Sequence, residues 1–342
     1  MYRRYKKIFI IGLLVFFTAG LFLVGCSTPK EEVAKSQPLS KSNFQLDTVV
    51  TISLYNWTDE GTFDRAFDEI RRLENLLSVD KEGSDLDKIW KNGGKAWTAV
   101  SPETLEVIKS SLAYSELSQG YFDISTGPLI SLWNIQDGQG HYPSNEKLAV
   151  AKAQTGYQRI LINDDGEVML QDPGMKANLG AIAKGYIADK VKELLVGEGV
   201  KSGIINLGGN VLVIGENPNG EPFHIGIQDP HKKTGEVLGS IDARNISLVS
   251  SGINERYFEY EGKRYHHILD PFTGFPSEKG IAGVTILSEK SMDGDALSTT
   301  VFLLGIEKGM ALIESLPNKE AIIVDNEGKL HCTKGAEELL NL

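Results

Sequence analysis

The chain has 342 residues, 41% of them hydrophobic and 24% charged, which argues against an intrinsically disordered, collagen-like or polytopic membrane protein. Its 46 acidic side chains outweigh 35 basic ones, for a formal charge of −11. That is the wrong sign for gripping a phosphate backbone through a broad basic surface, so no nucleic-acid partner is expected.

The first 25 residues read as an address. Arg3, Arg4, Lys6 and Lys7 form a basic start, Ile8 to Val24 an apolar run, and Gly25 a small residue just before Cys26. This pattern resembles a bacterial lipobox, which implies cleavage after Gly25, a lipid anchor on Cys26, and a domain held on the extracytoplasmic face of the cell membrane. The polar, Pro-containing stretch that follows, placed at 26–43 with the lipidated cysteine, reads as a flexible tether. The remaining cysteine, Cys332, then has no partner for an intramolecular disulfide, and it reads as structural.

The body, 44–342, opens on a β-branched run from Thr48 to Trp57 that predicts a strand. A helix follows over 62–78, where Phe63, Phe67, Ile70, Leu73, Leu76 and Leu77 recur at three- and four-residue steps. Ser101 with Pro102 marks a helix start, and the rhythm of Leu105, Ile108, Leu112 and Leu117 stops at Gly120. Residues 159–163 and 167–171 flank an Asn-Asp-Asp-Gly turn, a hairpin signal, and a helix is expected from Ala181 to Leu195. Strand patterns follow at 203–206, 211–215, 223–228, 237–242, 246–250, 256–260, 264–269 and 281–287. Helices at 294–304 and 306–315 and a hairpin over 321–325 and 329–333 complete the chain. Long helices early and antiparallel strand signals later predict an α+β fold, with mixed or antiparallel sheets and flanking helices.

The common nucleotide, zinc, thiol-redox and serine-hydrolase motifs are missing. The run from Gly180 to Gly185 has the glycine spacing of a phosphate-binding loop, but Tyr186 stands where that loop needs lysine. Other segments carry chemistry-bearing residues. Asp295 and Thr299 lie one helical turn apart and offer two hard oxygens to Mg²⁺, or Asp293 and Asp295 cap the helix. Lys184 sits among small residues at a helix entry, where it can meet a phosphate or simply face solvent. Asn206 to Asn210 make a glycine-containing turn. His266 and His267 precede an Asp-Pro-x-x-Gly turn at Asp270, either as a general base near a carboxylate or as a strand-end histidine bonded to the turn.

In this order the segments resemble the ApbE family of FAD:protein FMN transferases, from about Leu46 to Cys332. The resemblance rests on Leu46 to Thr48, Tyr121 to Leu129 with Trp133, Ala177 to Asp189, Asn206 to Gly209, Ser251 with Gly252, His267 to Gly274, and Asp295 with Thr299. It implies a flavin transferase (T-fold-like) architecture. It also implies Mg²⁺-dependent cleavage of the FAD pyrophosphate, transfer of FMN to a threonine hydroxyl of an acceptor protein, and release of AMP. By resemblance the metal ligands are Asp295, Thr299 and the Ala181 carbonyl. Flavin contacts are Leu46, Tyr121, Phe122, Asp123, Asn178, Lys184 and Ile268, and His267 is the base. The family's usual Met-Gly-Thr is Leu46-Asp47-Thr48 here. Two other readings fit the same residues: an FAD pyrophosphatase yielding FMN and AMP, and a non-catalytic flavin-binding lipoprotein.

Overall fold

The polar run ahead of Thr48 does not stay a tether to its end. In the computed structural model, described over residues 37–342 apart from 137 and 234, Leu39–Gln45 forms strand β1, antiparallel to β2 (Thr48–Leu54). The tether boundary expected at residue 43 therefore moves back to before Leu39. β1 lacks an apolar face because it is an edge strand whose outward hydroxyls pair with those of β2, Ser40 with Ser53 and Ser42 with Thr51, each at 2.8 Å. The signal segment, Cys26 and most of the tether lie outside the described residues.

Gln45 faces Thr48, so Leu46 and Asp47 alone make the turn, at φ 55° and 56°. Two successive left-handed residues give the hairpin the twist that suits its strands, but neither residue is glycine or asparagine. Replacing Asp47 by glycine is therefore expected to raise stability by roughly 0.5–1 kcal/mol, read from urea midpoints.

α1 (Gly61–Leu77) buries Phe63, Phe67, Ile70, Leu73 and Leu77 of the predicted stripe and leaves Leu76 half-buried against the same core. α2 (Asp85–Lys91) is too short and charged to announce itself, and starts because Ser84 accepts from the Asp87 N–H at 2.9 Å. α3 (Pro102–Leu117) starts at Ser101 as its sequence predicts. α4 (Gly127–Trp133) and α5 (Asn145–Ala153) precede the hairpin of β3 (Ile160–Ile162) and β4 (Val168–Leu170). Next come α6 (Ala183–Gly197), β5 (Ser202–Leu207), β6 (Asn210–Gly215), β7 (Phe223–Gln228), β8 (Val237–Ala243) and β9 (Ser247–Gly252). β10 (Tyr257–Tyr260) and β11 (Lys263–His266) form a separate hairpin, so the strand expected to reach residue 269 stops at His266. β12 (Ile281–Ser288), α7 (Ser291–Leu304), α8 (Ile306–Glu314), β13 (Lys319–Asp325), β14 (Leu330–Cys332), α9 (Lys334–Leu339) and β15 (Leu340–Asn341) complete the chain.

The main sheet runs β1-β2-β5-β6-β9-β12-β13-β14, with every neighbouring pair antiparallel. β12 is buried along its whole length because both faces are covered. Val284 and Ile286 pack with Leu297, Val301 and Phe302 of α7, whereas Leu287 points to the opposite face and meets residues of the small sheet β15-β8-β7. The period of two thus directs one set of side chains at the helices and the other at a second sheet. The expected α+β class is the observed one.

Candidate active site

Two helices cap one another at the centre of the site. The α6 residue Asp189 accepts from the N–H groups of Ser291 and Met292, at 2.8 and 2.9 Å, in the first turn of α7. In return, the α7 residue Asp295 accepts from the N–H of Gly185, at 2.9 Å, in the first turn of α6. Asp295 is therefore not the cap of its own helix. Asp293 is not one either, since it pairs with Lys319 at 2.8 Å and accepts from the Tyr114 hydroxyl at 2.7 Å.

This exchange frees oxygens. The Gly185 N–H is spent on Asp295, and among the described residues no backbone N–H donates to the Ala181 carbonyl four positions earlier. The neighbours of Thr299 satisfy their hydroxyls within α7: Ser298 donates to the Asp295 carbonyl and Thr300 to that of Ala296. Thr299 lines the cleft, and its hydroxyl forms no hydrogen bond with a described residue.

The cleft has a volume of about 330 Å³ and brings together every metal ligand, flavin contact and base that the resemblance implied, whereas the turn at 206–210 does not line it. The β1–β2 turn supplies Leu46, the loop after α3 supplies Tyr121, Phe122 and Asp123, and the entry to α6 supplies Asn178, Ala181 and Lys184. The loop after β11 supplies His267 and Ile268, and α7 supplies Asp295 and Thr299. Phe122 is 1% exposed and forms part of the core beneath the cleft. Asp123 holds its own loop in shape, accepting from the Ser125 N–H and hydroxyl and from the Tyr157 N–H. Asn178 accepts from the Gly180 N–H at 2.8 Å and so fixes the backbone that presents Ala181.

The adjacent histidines have separate fates. His266 is buried, with Nε2 3.0 Å from the Ser277 carbonyl. Ser277 lies beyond the turn at 270–274, so neither histidine ring is bonded to the turn itself. His267 lines the cleft instead, with Nδ1 3.3 Å from the Arg256 carbonyl. Asp270 serves neither ring, because its carboxylate accepts from the Phe272 and Thr273 N–H groups inside the turn. The anion nearest His267 is Glu255, whose Oε2 lies 4.0 Å from Nε2. No spacing in the sequence points to Glu255, because the Gly252–Arg256 turn brings it to the cleft.

Burial governs the electrostatics. It raises the Asp295 carboxyl above its usual range, opposed by the charge of Lys184 and by the Gly185 and Lys184 N–H groups. It also raises Glu255, with Lys184 and Arg256 opposing and Asp295 assisting. His267 is pushed down to about 3, by burial first and then by the Arg256 charge, and so is neutral at physiological pH.

Asp189 is pushed up to about 6 by burial, against its two backbone donors and Lys192, with Asp293 adding to the rise. The folded protein then holds this proton at pH values where the unfolded chain has already lost it. Its contribution to stability must therefore rise as pH falls from about 7 towards 4. Urea unfolding of wild type and Asp189→Asn across this range should show wild type gaining roughly 1–3 kcal/mol relative to the variant.

The ApbE family model matches residues 46–323. A curated FAD:protein FMN transferase of Klebsiella pneumoniae is 37% identical over 286 residues, covering 83% of this chain and 88% of that protein. One of Treponema pallidum is 29% identical over 343 residues, covering 95% and 93%. The crystal structure of the ApbE protein of Thermotoga maritima superposes with a TM-score of 0.81 at 30% identity, covering 90% of this chain and all (100%) of that one. The flavin transferase ApbE of Vibrio cholerae gives 0.80 at 25% identity, covering 89% and 100%. The matched region begins at the β1–β2 turn, ends in β13 and contains every cleft residue described above, and on this match the chain belongs to the ApbE family.

Proposed function

We propose that this protein is an FAD:protein FMN transferase that cleaves the FAD pyrophosphate and passes FMN to a threonine hydroxyl of an extracytoplasmic acceptor protein, releasing AMP. The observation that carries the reading is one cleft holding a hard-oxygen donor set, a lysine and a neutral imidazole. Phosphoryl transfer to a hydroxyl needs charge neutralisation and a proton acceptor in one place.

The donors are the Asp295 carboxylate, the Thr299 hydroxyl and the Ala181 carbonyl. All are oxygen, and the last two lack protein partners among the described residues. The described residues contain no cluster of three or more His, Cys, Asp or Glu side chains suited to a metal ion. A site of one carboxylate and two neutral oxygens fits Mg²⁺, which keeps water or substrate phosphate in its other positions. When bound, Mg²⁺ would offset negative charge on the pyrophosphate and polarise a phosphoryl oxygen.

Lys184 stands at the positive end of α6, where ammonium charge and helix dipole both favour phosphate. Leu46, Tyr121, Asn178 and Ile268 present apolar and amide surface to the flavin, and Phe122 packs beneath them. The Arg256 carbonyl can only accept, so the His267 proton sits on Nδ1 and the Nε2 lone pair faces the cleft. His267 takes the threonine proton at Nε2 as the threonine oxygen bonds to the FMN phosphorus. The bond from phosphorus to the bridging oxygen breaks, and AMP leaves with that oxygen. Cys26 carries the lipid that holds the enzyme to the outer face of the membrane, where its acceptors lie.

The test uses the full-length chain in detergent with FAD, Mg²⁺ and candidate extracytoplasmic flavoproteins, following AMP and flavin fluorescence on the denatured acceptor. A fluorescent band with AMP, both lost on chelation, is the expected result. AMP at the same rate without acceptor would make the protein a pyrophosphatase, and FAD retained without AMP would make it a binding protein. Mass spectrometry of the membrane fraction checks the lipid on Cys26.

A further inference from the structure

We propose that Glu255 is a positioning residue of this site, supplying beside His267 the countercharge that lets Nε2 take the acceptor proton. The proposal rests on the transferase reading and adds a residue to it. His267 is held on one side only, by its main-chain N–H to the Arg256 carbonyl at 3.1 Å and by Nδ1 against the same oxygen at 3.3 Å. On the other side Nε2 faces Glu255 at 4.0 Å. That distance leaves the Nε2 lone pair open to the acceptor hydroxyl and keeps the carboxylate near the charge that forms when Nε2 takes the proton.

The surrounding charges require such a partner. Arg256, His266 and Lys184 all oppose a positive charge on His267. Of the carboxylates lining the cleft, Asp295 is committed to the Gly185 N–H and Asp123 to the Ser125 and Tyr157 donors, and among the described residues the Glu255 carboxylate is the one within 4.0 Å of the His267 ring. The Glu255 side chain is 42% exposed, and its only backbone donor among the described residues is the Gly252 N–H of its own turn, so its carboxylate ties no distant elements together. A neutral imidazole that becomes an imidazolium beside two cations gains most from an adjacent anion, here on the side of the nitrogen that takes the proton, because the Arg256 carbonyl occupies Nδ1. During transfer the acceptor hydroxyl proton moves to Nε2, the hydroxyl oxygen bonds to phosphorus, AMP departs with the bridging oxygen, and Glu255 forms no bond to the reacting atoms.

The experiment compares full-length wild type, Glu255→Gln and Glu255→Ala in detergent, with the acceptor and AMP readouts above. Glu255→Gln is expected to lower kcat about 100-fold, with KM for FAD within about threefold of wild type. Added formate should restore Glu255→Ala at least about tenfold and leave Glu255→Gln unchanged, since only the alanine variant leaves room for a carboxylate. Unchanged kcat in Glu255→Gln, a loss confined to KM, or no rescue by formate would overturn the proposal. The ¹⁵N shifts of the His267 ring, read in histidine-labelled protein without substrate, should differ between wild type and Glu255→Gln. Identical shifts overturn the pairing whatever the transfer assay gives. Changed shifts in a wild-type protein that transfers no flavin would uphold the pairing and end the transferase reading instead.

Discussion

Asp295→Asn should abolish Mg²⁺-dependent flavin transfer while leaving the fold in place. The amide keeps an oxygen for the Gly185 N–H, so the cap between α6 and α7 survives, and only the charge is lost. That charge is costly to the folded protein, because burial opposes it and Lys184 only partly compensates. Stability should therefore change by no more than about 1 kcal/mol, and removing an uncompensated buried charge can raise it. Turnover is a different matter. A metal contributes several kcal/mol of transition-state stabilisation, and at about 1.4 kcal/mol per decade its loss is worth at least roughly 10³-fold in rate. Asp295→Ala should lose the same activity but also leave the Gly185 N–H unpaired, costing about 1–3 kcal/mol of stability. AMP release over a Mg²⁺ titration measures the first effect, calorimetric Mg²⁺ binding checks it without turnover, and urea midpoints separate the two variants. Wild-type rates in Asp295→Asn would remove the proposed metal site.

Much of this cleft can be read from the chain because its residues sit in segments with strong local signals. Asp295 and Thr299 lie one helical turn apart in α7, and Lys184 lies at the entry of a helix that the apolar pattern announces. What the sequence does not carry is which neighbour each polar group serves. Asp295 looks like a local cap, yet it caps α6, and Asp189, an ordinary-looking helical aspartate, caps α7. These are contacts between residues about a hundred positions apart, and no local period encodes them. The histidine pair lies between these cases. β11 ends on the buried His266 and His267 lies in the loop beyond it, so the strand boundary is what separates the two. Glu255 had no such signal, because a tight turn without regular period places it. β1 was hidden for the opposite reason, since its polar residues suit an edge strand and also suit a tether.

Two glycine-to-alanine changes on α6 should move stability in opposite directions, and together they test whether the helix pair is the site's foundation. A Cβ on Gly185 would lie 2.3 Å from the Ser291 carbonyl oxygen and 2.7 Å from the Met292 Cα. Both are backbone atoms, so no side chain can rotate away and the helices themselves must part by about an ångström to reach ordinary contact. That movement stretches both reciprocal caps, whose N–H donors are Ser291 and Met292 on one helix and Gly185 on the other. Gly185→Ala is accordingly expected to cost about 3 kcal/mol, at the upper end for overpacking because capping weakens with it. Activity should fall further than stability alone explains. Ala181 and Lys184 move with α6, and Asp295 and Thr299 move with α7, and a misplacement of about 1 Å costs on the order of 10²-fold in rate. Gly197, the last residue of the same helix, has nothing within 4 Å of a built Cβ. There alanine only removes freedom from the unfolded chain, and Gly197→Ala should stabilise by roughly 0.5–1 kcal/mol with flavin transfer unchanged. Urea midpoints and AMP release under conditions where both variants are folded give the comparison. If Gly185→Ala matched Gly197→Ala in both, the close crossing of α6 and α7 would not be what positions the oxygens and the lysine of the cleft.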